Sequence, residues 1–233
     1  MRTIQILVVA MIIGTSTGSA QTKFLDKDAP ASPICHSEAP QGKDTRLAQQ
    51  ILQGYGTGGF PIQTKSPEAQ MYFNNGMQLA HAIAHKSAIA AFRRAEQIDP
   101  SCAMCVSGEA WARGPSINLT IGDGAQMELA RLTAKAAALA QNGTEREHAL
   151  IGALQRRYKT GSGKGEGDKD YARAMDELSR AYPTDNEIAI MAADVWMIPA
   201  SQENTRDHLD RAIQMLEAAL QRSPNDTGAI HFF

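Results

Sequence analysis

The chain has 233 residues and three Cys, with 23 Lys and Arg against 25 Asp and Glu, a formal net charge of −2. That balance argues against a nucleic-acid binder, which carries a basic excess or a basic face, and the length is ample for a hydrophobic core without disulfide staples. Aromatics make up only 6% while Ala, Leu and Met are plentiful, which favours helices over a β-sandwich.

Met1-Arg2 places one positive charge before the apolar run Ile6 to Ile13, and small and polar residues follow to Gly18-Ser19-Ala20. This is the pattern of a secretory signal over residues 1–20, with cleavage expected after Ala20. The run is too short for a membrane span, which needs about 20 apolar residues. No Cys closely follows it to carry a lipid anchor. Cleavage leaves 213 residues with a net charge of −3 and no later segment able to span a bilayer. The expected location is periplasmic or secreted.

Residues 21–65 are poor in helical periodicity. Asp28-Ala29-Pro30-Ala31-Ser32-Pro33 and Ala39-Pro40-Gln41-Gly42 mark a flexible arm. Asp44 to Leu52 fits a short helix, which Gly54-Tyr55-Gly56-Thr57-Gly58-Gly59-Phe60-Pro61 breaks with a Gly-rich loop. From residue 66 to 233 the pattern is helix after helix. Ser66-Pro67-Glu68 is a start signal: a capping hydroxyl, Pro at the first helical position and an acid in the first turn. The first helix should reach about Ala84 and the second should run from about Ser87 to Ile98, closed by Asp99-Pro100. Further helices are expected near 101–112, 124–141, 145–159, 169–182, 185–198 and 205–222. Asn142-Gly143 fits a helix stop and Thr144-Glu145-Arg146-Glu147 a capping box. Gly161 to Gly167 reads as a flexible linker.

A repeat lies inside these helices. With Pro100 closing a helix-turn-helix unit of about 34 residues, Tyr72, Gly76, Leu79, Ala88, Phe92 and Ala95 supply the preferred small and large side chains. With Pro224 closing another, Ala212, Leu216 and Ala219 do so in its second helix, while Pro199 interrupts its first. A unit closing at Pro183 is degenerate, with Tyr171 where a small residue is wanted. The chain therefore resembles the tetratricopeptide repeat superfamily. Ser66-Pro67-Glu68-Ala69-Gln70, Phe73-Asn74-Asn75-Gly76, Asp99-Pro100-Ser101-Cys102-Ala103-Met104-Cys105 and Gly114-Pro115-Ser116-Ile117-Asn118 narrow the likeness to exported bacterial members. Such relatives carry His just before the Phe-Pro, where this chain has Gly58-Gly59. The resemblance implies an all-α, TPR-like superhelical stack of helical hairpins, with a flexible N-terminal arm, that binds a protein or peptide. The groove positions of the best repeat's first helix are Gln70, Phe73, Met77 and Ala80.

Cys102 and Cys105 form a C-x-x-C at a helix start, where the dipole stabilises a thiolate. No βαβ pattern surrounds it, and Val106 in place of His excludes covalent haem attachment. The plainer reading is a structural disulfide or two small buried side chains; Cys35 leaves the count odd and could pair with either. His81 and His85 stand four apart, a spacing that can present two imidazoles to a metal. The zinc-protease pattern fails, since Ala82 follows His81, and a third ligand would have to come from Cys102, Cys105 or His231. Gly161-Ser162-Gly163-Lys164 fails as a phosphate loop because Tyr158 and Gly165 stand where Gly and Ser or Thr are required.

The expectation is thus an exported, non-enzymatic scaffold for a protein or peptide partner, with no cofactor, nucleic acid or membrane span. The alternatives are a metal- or redox-handling accessory protein using His81, His85, Cys102 and Cys105, and an accessory repeat domain of a longer enzyme. The stretch after Pro224 opens with a helix cap and ends on Phe232-Phe233, under two turns later. It reads as an interrupted repeat, too short to be stable alone.

Overall fold

A computed structural model of the chain describes residues 50–117, 119–159, 165–203 and 206–233, without the side chains of residues 199–203. The signal segment, the arm up to residue 49 with Cys35, and Gly161 to Lys164 lie outside the described residues.

The described residues are all-α, with no named strand. In chain order the helices are α1 Pro67–His81, α2 His85–Ile98, α3 Ala103–Ala112, α4 Asp123–Leu139, α5 Glu145–Tyr158, α6 Glu166–Ala181, α7 Asn186–Glu203, α8 Arg206–Arg222 and α9 Thr227–Phe232. Their ends follow the local chemistry. The Ser66 hydroxyl accepts from the Ala69 N–H at 3.2 Å, with Pro67 behind it. Thr144 and Glu147 form both halves of a capping box, at 3.2 and 2.9 Å. A 3-10 turn at Ala140–Asn142 ends the preceding helix before Gly143.

Each helix from α1 to α8 packs on the next, and α1 also meets α3, α3 meets α5, and α9 meets both α1 and α7. This makes a repeat-like array with an inner and an outer layer. In α3 every residue but Trp111 is buried, and α7 is buried continuously from Ile188 to Ala193. By contrast α4 buries Gln126, Leu129, Thr133 and Ala136, and α8 buries Ala212, Met215, Leu216 and Ala219. Those are single stripes at helical spacing, the signature of an outer helix with one face in water.

Close packing centres on Phe92 of α2, which is wholly buried. A Cβ added at Gly76 of α1 would lie 2.7 Å from its ring, and one at Gly108 of α3 would lie 2.5 Å away. Ala88 and Ala95 on either side of Phe92 are also wholly buried, Tyr72 nearly so, and Pro100 and Pro224 sit in exposed turns.

Three expectations change. Helix α1 stops at His81, not Ala84, because Ile83 takes φ of 58° and turns the chain. Pro199 does not interrupt α7, which continues to Glu203; the missing Pro N–H removes one bond without ending the helix. Residues 50–65 are neither a flexible arm nor a free loop, and residues 50–52 are not helical. They form a segment tied to five different parts of the array. The tail after Pro224 is a helix because it is docked. Asp226 caps it through the Gly228 and Ala229 N–H groups at 3.0 and 3.1 Å, and Gly228 and Ala229 are buried.

Candidate functional site

The four residues expected to line an open groove are covered. Phe73 and Met77 are buried, as is Ala80, and Gln70 is spent on the chain itself. The Gln70 amide donates to the Phe60 carbonyl at 2.8 Å and accepts from the Ile62 N–H at 2.9 Å. Phe60 fills the space over Phe73, edge-on at 5.0 Å between ring centres, and the Arg146 guanidinium lies 3.6 Å above its other face. The groove expectation is corrected on this point: the segment before α1 covers Gln70 and Phe73, while Ala80 lies on a cavity wall.

Helix side chains hold this segment mainly by its backbone. The Leu52 N–H donates to Asn75 at 3.0 Å, and the Asn75 amide returns a bond to the Leu52 carbonyl at 2.8 Å. Glu187 of α7 accepts from the Gly59 N–H. Glu147 of α5 accepts from Gln63 at 2.7 Å, and Asp99 accepts from Lys65 at 3.2 Å. Gly59 passes so close to α1, with φ of 92°, that a Cβ would sit 2.5 Å from the Asn74 side chain. Glycine is required there for both reasons.

Beneath the segment lies a buried polar cluster. His81 has no solvent exposure, and its Nε2 pairs with Glu187 Oε2 at 2.9 Å. Its Nδ1 has no hydrogen-bond partner and lies against Gly228. Burial alone would lower the imidazole pKa; the Glu187 carboxylate, helped by Asp194 and Asp226, overrides it and holds the value above the ordinary one. Burial pushes Glu187 upward, but His81 and the Gly59 N–H hold it below the usual carboxylate range. Trp111 and Phe232 meet the His81 ring edge-on, at 5.3 and 5.9 Å.

Next to this cluster is a cavity of about 210 Å³ between the α1–α2 turn, the end of α3, α7 and α9. Its walls are mainly Ile83, Trp111, Pro115, Met197 and Phe232, with Asp194, His85, His231 and Ser116 as the polar groups. The Asp194 carboxylate forms no hydrogen bond with any described residue; burial raises its pKa to about 6 although His81 and Arg157 pull it down. Burial lowers His85, which rests against the Ala112 carbonyl.

The structure separates the residues of the metal or redox alternative. His81 ends α1 and His85 begins α2, so they do not share one helix. Cys102 and Cys105 are joined in a disulfide, and both are wholly buried. The Cys105 N–H donates to Cys102 Sγ at 3.1 Å, making Cys102 the cap of α3. Among the described residues no group of three or more His, Cys, Asp and Glu side chains is arranged to hold a metal. A second buried ion pair, Arg157 to Asp168 at 2.7 Å, joins α5 to α6, and Arg157 also donates to the Pro115 carbonyl at 2.9 Å.

Sequence reasoning missed Glu187, Asp194 and the Arg157–Asp168 pair. Asp194 is an acid inside the otherwise apolar run from Ile188 to Ile198, a signal that could have found it; Glu187, Arg157 and Asp168 stand among polar neighbours and carry no such signal. No protein-family description, curated protein or solved structure matches the chain.

Proposed function

We propose that the chain is an exported, non-enzymatic helical-repeat scaffold of the tetratricopeptide type that binds an extended segment of a protein or peptide partner. One observation carries this reading: side chains from α1, α5 and α7 grip the backbone amides of an extended stretch while one aromatic, Phe60, anchors it. Main-chain hydrogen bonds for affinity with side-chain pockets for specificity are a recurring way of taking an extended peptide. Residues 50–65 are the occupant in this structure, and a partner segment of the same character exchanges with them.

The test loosens the resident segment and offers it back. In the Phe60→Ala chain the resident stretch loses its anchor, a change on the order of 3–5 kcal/mol for a buried Phe. A fluorescent peptide of residues 50–65 should bind this variant saturably, and at least about tenfold more tightly than it binds the native chain. The same peptide with Ala in place of Phe60 should not bind. Absence of peptide binding to a variant that keeps its helical circular dichroism would overturn the reading.

A further inference from the structure

The cavity beside His81 has a chemistry that the peptide reading does not use. Asp194 presents a carboxylate to a space that is otherwise mostly apolar. The two cations nearest to it are already matched: His81 by Glu187 at 2.9 Å and Arg157 by Asp168 at 2.7 Å. No Lys or Arg lines the cavity. A carboxylate in such a place is costly unless a charged donor completes it. One wall adds a second oddity. Ile83 is the one non-glycine residue with positive φ among those described, at 58°. A β-branched residue is held in that conformation only where the surroundings over-determine it, and such residues gather at ligand sites.

We propose that this cavity is a binding site for a small organic ammonium ion, with the Asp194 carboxylate as its counter-charge and Trp111 and Phe232 as aromatic walls. The sign of charge follows from Asp194 and from the lack of any lining Lys or Arg to offset it. An ammonium supplies the N–H donors that Asp194 lacks, in a charge-assisted bond. The aromatic faces favour a cation that is partly apolar over a hydrated one. The size fits as well: about 210 Å³ is below the roughly 300–1,000 Å³ of drug-sized ligand sites, so the occupant has few heavy atoms. A metal ion is a poorer match, since the described residues offer no set of three ligands around one point. His85, its pKa lowered by burial, also lines the cavity and adds a neutral imidazole.

The test compares two probes of equal size on the full chain, benzylammonium and benzyl alcohol, by titration calorimetry at about pH 8, where Asp194 is ionised. Benzylammonium should bind at one site, at least about tenfold more tightly than the alcohol. Asp194→Asn should abolish that preference, and Trp111→Leu should weaken the amine more than the alcohol. Because the comparison of probes uses the native chain, it stands even if a variant fails to fold. Equal binding of amine and alcohol, binding of neither, an amine preference that survives in Asp194→Asn, or displacement of the amine by zinc with one-to-one uptake would each overturn the proposal.

Discussion

Two glycine-to-alanine substitutions on inner-layer helices should have opposite effects, and the difference tests the packing around Phe92. At Gly108 an added Cβ would stand 2.5 Å from Phe92 Cε1 and 2.6 Å from Cδ1. The ring has little room to retreat, because α1 crowds it as well: a Cβ at Gly76 would lie 2.7 Å from Cε1. Phe73 also confines it, with ring centres 5.6 Å apart. Overpacking of this kind costs about 1–3 kcal/mol, and the confinement puts this case at the upper end. Better helix propensity returns about 1 kcal/mol. Gly108→Ala should therefore destabilise by about 2 kcal/mol, a fall in Tm of about 4–8 °C for a chain of this size. At Gly152 in α5 nothing lies within 4 Å of the added Cβ. Gly152→Ala should gain about 0.5–1 kcal/mol from propensity alone. Urea and thermal unfolding of the two variants and the native chain measure both numbers. Adding Phe92→Leu to Gly108→Ala should recover part of the loss, although Phe92→Leu alone is destabilising. If Gly108→Ala matched Gly152→Ala in sign and size, α1, α2 and α3 would not meet around Phe92 as described.

Asp194 predicts a pH dependence with a definite sign. Its pKa is about 6 in the folded chain against 3.8 for the free side chain, so the native state binds the extra proton. The cost of the bare carboxylate is absent below about pH 4, grows between about pH 4 and 6, and is fully present above. With a discount for solvent in the cavity, Asp194→Asn should stabilise by about 1–2 kcal/mol at neutral pH. It should add nothing near pH 3.5, a contrast read by urea midpoints at about the two pH values. Truncating one side of the Arg157–Asp168 pair should do the reverse. Asp168→Ala leaves a buried guanidinium unmatched and should cost about 3–5 kcal/mol in the same assay, while Asp168→Asn, which keeps an acceptor, should cost less.

Local chemistry made most helix limits readable. Ser66-Pro67, Thr144 with Glu147, and the prolines after α2, α6 and α8 place boundaries within a few residues of those observed. Tyr72, Ala88, Phe92 and Ala95 also stood out, because close helix crossing demands small residues beside a large one. The site was far less legible. His81 could be matched in sequence only with His85, because its true partner, Glu187, lies 106 positions away. Its helical register with His85 broke at Ile83, where no glycine or proline warned of a turn. Gln70, Phe73 and Met77 looked like groove residues because hydrophobic spacing reveals which face of a helix is covered but not by what. Here the cover is Phe60 and Ile62, from a stretch whose glycines suggested freedom. Pro199 misled in the other direction, since one lost hydrogen bond is tolerable in a helix as well buried as α7.

The backbone of Thr57 lies beside the last turn of the array. Its N–H donates to Asn225 at 3.3 Å and its carbonyl accepts from the Thr227 N–H at 3.1 Å, across about 170 positions of sequence. In an open repeat array each unit touches only its neighbours, so folding can start anywhere and the ends can fray independently. This latch, together with the His81–Glu187 bond, couples the earliest described residues to the latest. Loss of α9 should therefore loosen α1 as well, and hydrogen exchange in the two should slow or quicken together. The same long-range closure raises the average sequence separation of contacts, so the array should fold more slowly than an all-helical chain built from local contacts alone. A fold assembled from neighbour-to-neighbour hairpins thus acquires the all-or-none melting of a globular domain.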